Sequence, residues 1–199
     1  VTEAITGKDL VREQIFIAEG KKLSFSQEEI QMNGHSFEVR VYAEDPANNF
    51  LPDIGNLSTY IRPQGPGVRV DDGFEQGMDI PIYYDPMIAK LTVHAENREE
   101  ARMRMIRAID EYVITGIQTT LSFCKYVMQH PVFIDGSFDT KFVEHHFTPE
   151  DLQHPQEDEA LIAALMAVES QMNSSSGVKV AGSDQQQENG ISPWKLRAR

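Results

Sequence analysis

The chain has 199 residues, of which 40% are hydrophobic and 25% charged, a composition close to that of an average globular domain. This length allows one or two domains with a sizeable core and excludes a disulfide-stapled miniprotein. Acidic residues outnumber basic ones by 31 to 18, and the net charge of −13 opposes binding to nucleic acid or to an anionic membrane surface. No apolar run approaches the ~20 residues of a membrane span. We therefore expect no nucleic-acid partner and no membrane partner.

The single cysteine, Cys124, excludes an internal disulfide and a cysteine-rich zinc site. This cysteine usage is typical of a reducing compartment, and we expect a cytoplasmic protein. The N-terminus has neither the features of a signal peptide nor an initiator Met. We expect the chain to be a fragment, so that part of an active site lies in the missing portion.

The first predicted element is a helix from Thr6 to Gly20. Thr6 is placed to cap it and Gly20 to stop it. Its apolar residues recur at helical spacing and should form the buried face. These residues are Leu10, Val11, Ile15, Ile17 and Ala18.

The alternation of apolar and polar residues from Ser36 to Glu44 predicts a half-buried strand. Its polar face carries Glu38, Arg40, Tyr42 and Glu44. The following stretch to Asp85 is dense in Pro and Gly, which favours small strands joined by turns. Strands are expected at Leu57–Ile61, Val68–Val70, Ile80–Tyr84 and Met87–His94. The pattern predicts an α+β fold, a compact, mostly antiparallel sheet flanked by helices.

A second helix should start after Asn97, because Asn is a good cap and Glu100 follows three residues later. Its predicted apolar stripe is Ala101, Met105, Ala108, Ile109 and Tyr112. Two further helices are expected across Thr119–Gln129 and Thr140–His146.

The composition changes after Phe147, since no Lys or Arg occurs between Phe147 and Lys179. We expect a domain over residues 1–150, then an acidic helix (Glu157–Met172) and a flexible linker within residues 151–190. Residues 191–199 should begin a further, truncated domain.

Arg40 is the principal candidate for chemistry. A guanidinium fixed on a strand between two polar neighbours suits the binding of an oxyanion or a carboxylate. The alternative is a surface arginine with exposed salt bridges of little energetic value.

Other motifs have simpler interpretations. The Gly-rich segment Gln64–Val70 lacks the phosphate-loop pattern and indicates a turn, and its Arg69 would equally suit a subunit interface. Adjacent histidines such as His145 and His146 point about 100° apart on a helix, which disfavours a shared metal. Asp85 precedes a proline and suggests a turn, and Cys124 is more typical of a core residue than of a nucleophile.

Several segments, taken in order, closely resemble the C-terminal domain of biotin carboxylase over about residues 1–147. They are Gly34–Pro46, Gly65–Arg69, Tyr83–Lys90, Asn97–Ala101 and Tyr112–Thr119. The opening residues also resemble the stretch that follows the catalytic Glu-His-Pro segment of that family. The resemblance thus implies that the ATP-grasp lobe is absent and that this chain alone is inactive and binds no cofactor.

The resemblance implies an ATP-dependent carbon–nitrogen ligase that forms carboxyphosphate from bicarbonate and transfers carbon dioxide to N1′ of biotin. Arg40 matches the arginine that faces the biotin ureido oxygen and stabilises the enolate, and Asp85 matches an acid on the biotin side. Thr140 matches a residue that closes over the adenine of the nucleotide. Arg69 matches an arginine of the dimer interface. No metal ligand is expected in this chain.

The same resemblance implies ATP, Mg²⁺, bicarbonate and carrier-bound biotin as cofactors of the full enzyme. Its implied partners are the ATP-grasp lobe, a biotin carrier domain, a second copy of the component and a carboxyltransferase subunit. The tail resembles α-chains of acetyl-, propionyl- or methylcrotonyl-CoA carboxylases, which favours an acyl-CoA carboxylase with a role in fatty acid metabolism. The alternatives are a pyruvate carboxylase fragment and a non-catalytic assembly module. A carbamoyl-phosphate synthetase or purine carboxylase relative is disfavoured by the Arg40 strand and the Asp85 corner.

Overall fold

A computed structural model describes residues 1–81, 83, 85–152 and 165–168. The chain divides into two units, Val1–His154 and Pro155–Arg199. In the second unit the described residues, 165–168, are helical. The remainder of the predicted acidic helix, the linker and the start of a further domain lie outside the described residues, so the domain boundaries at 150 and 190 stay predictions.

Helices and short antiparallel strands make up the first unit, which confirms the α+β class. The helices are α1 (Thr2–Thr6), α2 (Leu10–Ala18), α3 (Arg98–Glu111), α4 (Leu121–Gln129), α5 (Pro131–Asp135) and α6 (Phe142–His146). The strands are β1 (His35–Tyr42), β2 (Glu44–Asp45), β3 (Leu51–Pro52), β4 (Thr59–Ile61), β5 (Val68–Asp72), β6 (Met87–Ala95) and β7 (Val113–Thr115).

The main sheet has three antiparallel strands in the order β1-β6-β5. Two small two-stranded sheets, β2-β3 and β4-β7, accompany it. In the main sheet Arg40 pairs with Lys90, and Lys90 pairs on its other side with Asp71. The register of β1 shifts between Val41 and Tyr42, directly after Arg40.

One face of the main sheet packs against α3 to form the core. Val41, Leu91 and Val93 of the sheet are fully buried, and so is Met105 of the helix. The helix begins as predicted, because the Asn97 side chain accepts a hydrogen bond from the Glu100 amide. All five residues of its predicted apolar stripe are buried. Each fully buried side chain of this size contributes about 1.5–3 kcal/mol through removal from water.

The prediction of a single helix from Thr6 to Gly20 is wrong. The chain forms α1 and α2 instead, because Gly7 adopts a left-handed conformation with φ of +66° that ends the first helix. Asp9, not Thr6, caps the second helix by accepting from the Arg12 amide. The predicted apolar face of α2 is largely exposed, whereas Glu13 is buried and accepts hydrogen bonds from the Ser24 amide and hydroxyl.

A strand over Ile80–Tyr84 is also not observed in the residues described there, which are 80, 81 and 83. The nearest pairing is an isolated bridge between Asn56 and Asp79. The predicted helices at Thr119–Gln129 and Thr140–His146 are present but start two residues later, at Leu121 and Phe142. The short helix α5 between them was not predicted.

Candidate functional site

The polar face of the three-stranded sheet carries the candidate site. On β1, Glu38 and Arg40 are exposed while Val39 and Val41, which alternate with them, are buried, as the sequence pattern predicts. Directly paired residues of neighbouring strands project from the same face of a sheet. The Arg40 row therefore continues through Lys90 to Asp71, and the Glu38 row continues through Thr92 to Arg69.

The Arg40 guanidinium is surrounded by polar groups that favour its charged form. A hydrogen bond with the Tyr42 side chain raises its pKa, and the carboxylates of Glu38 and Asp85 add smaller effects in the same direction. Arg40 thus presents a permanent cation to solvent.

A turn places Asp85 near the C-terminal end of β1, close to Ala43. The Ala43 amide donates to the Pro86 carbonyl at 2.9 Å, and Asp85 Oδ1 accepts from the Met87 amide at 2.9 Å. Partial burial and repulsion from Asp85 raise the pKa of the Glu44 carboxyl. The turn that was predicted from Asp-Pro is therefore present, and it places a carboxylate near Arg40.

Thr120 forms hydrogen bonds with the backbone of the same part of β1. Its hydroxyl accepts from the Tyr42 amide at 3.0 Å and donates to the Arg40 carbonyl at 3.1 Å. Its own amide donates to the Tyr42 carbonyl at 3.1 Å. Neither Tyr42 nor Thr120 was singled out from the sequence as part of the site. The alternation does place Tyr42 beside Arg40, but no local pattern signals Thr120, which lies 78 residues from Tyr42 in the chain.

Arg69 lies on the same face as Arg40, one row further along the sheet. It is exposed and pairs with Asp71, with Nε 2.8 Å from a carboxylate oxygen. This hydrogen bond and charge raise the pKa of Arg69. A cleft of about 460 Å³ adjoins it, lined by Glu38, Lys90, Thr92 and residues of α1 among others. Arg40 is not among the residues that line this cleft.

Thr140 is exposed in the turn before α6. Within residues 1–152 as described, no hydrogen bond joins it to Arg40, Asp85 or Arg69. The structure therefore brings Arg40 and Asp85 together, places Arg69 on the same sheet face, and leaves Thr140 on a separate element.

The remaining candidate groups offer no reactive centre in the described part of the chain. Cys124 is partly buried against the core, and desolvation raises the pKa of its thiol to about 12, so that it stays protonated at neutral pH. The rings of His145 and His146 lie 6.1 Å apart and nearly perpendicular. The described residues hold no group of three or more His, Cys, Asp or Glu able to bind a metal ion. Within the same residues, no helix is long and apolar enough to cross a bilayer.

Fold and site together define an α+β domain that presents a fixed arginine, flanked by carboxylates, on the open face of a small antiparallel sheet. Residues 38–145 match the family model of the biotin carboxylase C-terminal domain. The chain belongs to this family.

Curated relatives agree with that assignment. The chain is 46% identical over 144 residues to biotin carboxylase 1 of Bacillus subtilis, covering 72% of this chain and 32% of the relative. Identity is 50% to the mitochondrial propionyl-CoA carboxylase alpha chain of Sus scrofa, covering 72% and 20%. Identity is 45% to a pyruvate carboxylase subunit of Methanothermobacter thermautotrophicus, covering 73% and 30%. The chain thus spans a third or less of the length of these relatives.

Solved structures show the same fold. The biotin carboxylase domain dimer of the Hydrogenobacter thermophilus 2-oxoglutarate carboxylase, in complex with MgADP, ADP and bicarbonate, matches with a TM-score of 0.74 and 43% identity. The match covers 78% of this chain and 34% of that one.

Proposed function

We propose that this domain is the C-terminal lobe of the biotin carboxylase component of an acyl-CoA carboxylase. In this role it completes the site for ATP- and bicarbonate-dependent carboxylation of biotin. The position of Arg40 carries the proposal, because an exposed guanidinium projects from a strand, and Tyr42, Glu38 and Asp85 all favour its charged form. The relation to a propionyl-CoA carboxylase alpha chain supports the acyl-CoA type.

Arg40 would act on negative charge that develops at the ureido oxygen of biotin. In the full enzyme, ATP with Mg²⁺ and bicarbonate would supply the activated carboxyl group, and biotin would supply the acceptor nitrogen. A preorganised cation stabilises the charge that appears in the transition state more than it stabilises the neutral ground state. The planar guanidinium can also donate two parallel hydrogen bonds, which an ammonium group cannot do.

The other residues would have supporting roles. Asp85 and Tyr42 would orient the Arg40 guanidinium, and Thr140 would contact the adenine of the nucleotide through its exposed position before α6. The described residues provide no metal ligand set, so Mg²⁺ would be held by an ATP-grasp lobe of the full-length protein. The domain alone would then bind no cofactor and catalyse no carboxylation.

The partners in this proposal are that ATP-grasp lobe, a biotin carrier domain, a carboxyltransferase subunit and a second copy of the component. Arg69 would contact the second copy. The structural relative from Hydrogenobacter thermophilus is described as a biotin carboxylase domain dimer, which supports the dimer. A cytoplasmic location is part of the same proposal. The second candidate is a pyruvate carboxylase, favoured by the relation to the pyruvate carboxylase of Methanothermobacter thermautotrophicus.

The test compares the full-length protein that contains this sequence with its Arg40→Ala variant. We expect the native protein to carboxylate free biotin, and the variant to lose this activity by about 10²-fold or more while part of its bicarbonate-dependent ATP cleavage persists. Arg107→Ala is the matched control, because Arg107 is an exposed arginine of α3 whose ion-pair partner, Glu111, is 3.9 Å away.

Equal carboxylation by native and Arg40→Ala protein would make Arg40 a surface residue and overturn the site. A native protein that assembles normally but never carboxylates biotin would instead support a non-catalytic assembly module. Assays with acyl-CoA substrates and with pyruvate would separate the two types of carboxylase.

A further inference from the structure

The strand that carries Arg40 becomes irregular shortly after this residue. Within the described residues β1 is an edge strand and pairs only with β6. Its register shifts between Val41 and Tyr42, and such an irregularity locally disrupts the ladder and re-aims nearby side chains. Contacts other than the β1–β6 ladder must therefore hold the backbone of β1 in position on both sides of Val41.

Thr120 provides such contacts. Its hydroxyl bridges the Arg40 carbonyl and the Tyr42 amide, and its amide reaches the Tyr42 carbonyl. The three hydrogen bonds, of 3.0 to 3.1 Å, span the irregular step of the strand. Thr120 is only 5% exposed, so water does not readily replace these bonds.

The Thr120 hydroxyl forgoes its usual local role. Thr120 is the N-cap residue of α4, where a threonine hydroxyl ordinarily accepts a hydrogen bond from an amide of the first turn. No such side-chain capping bond is present. The hydroxyl bonds to the backbone of β1, and the start of α4 is the support to which the Arg40 segment is attached.

The same bridge also holds the backbone of the residue whose side chain most strongly favours the charged form of Arg40. That residue is Tyr42, and its backbone amide is one end of the Thr120 bridge. A shift of this backbone would move the guanidinium and the Tyr42 side chain together.

We propose that Thr120 is a positioning residue for the Arg40 site, whose hydroxyl sets where the guanidinium meets the substrate. This inference rests on the proposed function, since it assigns the bridge a purpose in biotin carboxylation. It predicts that the loss of two hydrogen bonds remote from any substrate selectively lowers the turnover of biotin.

The experiment uses three variants of the full-length protein. Thr120→Val keeps the shape of the side chain but removes the hydroxyl, and Thr120→Ser retains the hydroxyl. Ser36→Ala is the matched control, because it removes a buried hydroxyl bond, to the Val93 carbonyl at 2.6 Å, in the same strand but four residues before Arg40.

Two properties are measured besides the melting temperature. One is amide hydrogen exchange at Tyr42. The other is kcat for biotin carboxylation, which is compared with two quantities that do not involve biotin, the KM for ATP and the rate of bicarbonate-dependent ATP cleavage. In Thr120→Val we expect faster exchange at Tyr42 and a kcat for biotin lowered roughly 10-fold or more, with the KM for ATP and the ATP cleavage unchanged. Thr120→Ser retains the hydroxyl, so its exchange at Tyr42 and its kcat for biotin should stay close to the native values. Ser36→Ala should also resemble the native protein in both properties.

A double variant tests whether Thr120 acts through Arg40. If it does, Thr120→Val adds no further loss of biotin carboxylation to Arg40→Ala. Additive losses, or a Thr120→Ser variant as impaired as Thr120→Val, would overturn the proposal. A Thr120→Val protein that loses ATP cleavage to the same extent as biotin carboxylation would do the same, because the effect would then be general.

Failure of the proposed function gives a different pattern. In that case the native protein does not carboxylate biotin, or Arg40→Ala is fully active. An inactive Arg40→Ala variant beside a fully active Thr120→Val variant would leave the proposed function standing and refute only the role of Thr120.

Discussion

The hydroxyl groups of Tyr60 and Tyr112 lie 2.5 Å apart and join β4 to the residue that ends α3. Tyr60 also donates to Asp72 at 3.0 Å, and Asp72 forms an ion pair with Arg62 at 2.5 Å. Both tyrosines are buried, at 8% and 6% exposure. This small network connects the β4-β7 sheet to the end of β5, and it can only persist while the tyrosines keep their protons.

We expect the domain to lose stability in alkaline solution through Tyr112. Burial raises the pKa of Tyr112 from 10.0 to about 12, so between these values the folded state keeps a proton that the unfolded state has released. The stabilisation is complete below pH 10 and is lost as the pH rises towards 12, by an amount on the order of 2 kcal/mol.

Urea unfolding between about pH 9 and pH 12 measures this slope. Tyr112→Phe should show a shallower decline of the free energy of unfolding than the native chain. Tyr83→Phe is the control, because Tyr83 is 83% exposed and lies outside the network of Tyr60 and Tyr112. Parallel pH curves for the native chain and Tyr112→Phe would refute the assignment to this hydroxyl.

Because α3 packs against the main sheet, replacing each of two methionines of this helix by alanine should have very different effects on the free energy of unfolding. Met105 is fully buried, and Met105→Ala should lower the free energy of unfolding by about 2–5 kcal/mol through lost burial and a residual cavity. Met103 is 52% exposed, so Met103→Ala should change it by no more than about 0.5 kcal/mol. Similar values for the two variants in urea denaturation would argue against the packing described for α3.

Tyr42→Phe tests the interaction of the Tyr42 hydroxyl with the charged form of Arg40. Removal of one hydrogen bond to a guanidinium should cost about 1 kcal/mol, roughly fivefold in the rate of biotin carboxylation by the full-length protein. Tyr126→Phe serves as the control, because the Tyr126 hydroxyl instead donates to the His146 carbonyl. Equal rates for Tyr42→Phe and the native protein would show that the hydroxyl does not orient Arg40.

Arg69→Glu tests the proposed dimer contact. The pair of Arg69 with Asp71 is exposed and contributes at most about 1 kcal/mol, so the variant should fold normally. Sedimentation of the full-length protein should nevertheless shift from dimer towards monomer, since a charge reversal opposes the original contact. Lys141→Glu, a charge reversal at another exposed site, should remain dimeric. If the Arg69→Glu variant stays dimeric, Arg69 is not part of the dimer interface.

Elements defined by local patterns could be predicted well. The strand around Arg40 follows from strict alternation, and α3 follows from the Asn97 cap and a buried stripe that includes Met105. The division between α1 and α2 was missed, because Thr6 and Asp9 are both plausible caps. Only the left-handed conformation of Gly7 decides between them.

The site was predictable only in part, for a physical reason. Motifs in the sequence predict Arg40 and Asp85 as site residues, and the turn at Pro86 brings Asp85 to the end of the strand that carries Arg40. The contribution of Thr120 depends on a hydrogen bond across 78 residues, and a threonine before a helix suggests a cap rather than a bridge. Nor does helical spacing reveal that residues such as Val11 and Ile15 of α2 are exposed.

The pairing of β1 with β6 also has a consequence for the order in which the chain acquires structure. Ser36 and Val93, which share a buried hydrogen bond, are 57 residues apart, so a long loop must close before β1 can join the main sheet. Such non-local pairing slows folding relative to a protein dominated by local contacts. During synthesis, the segment with Arg40 leaves the ribosome well before its partner strand, and both of its edges remain open to other chains in that interval.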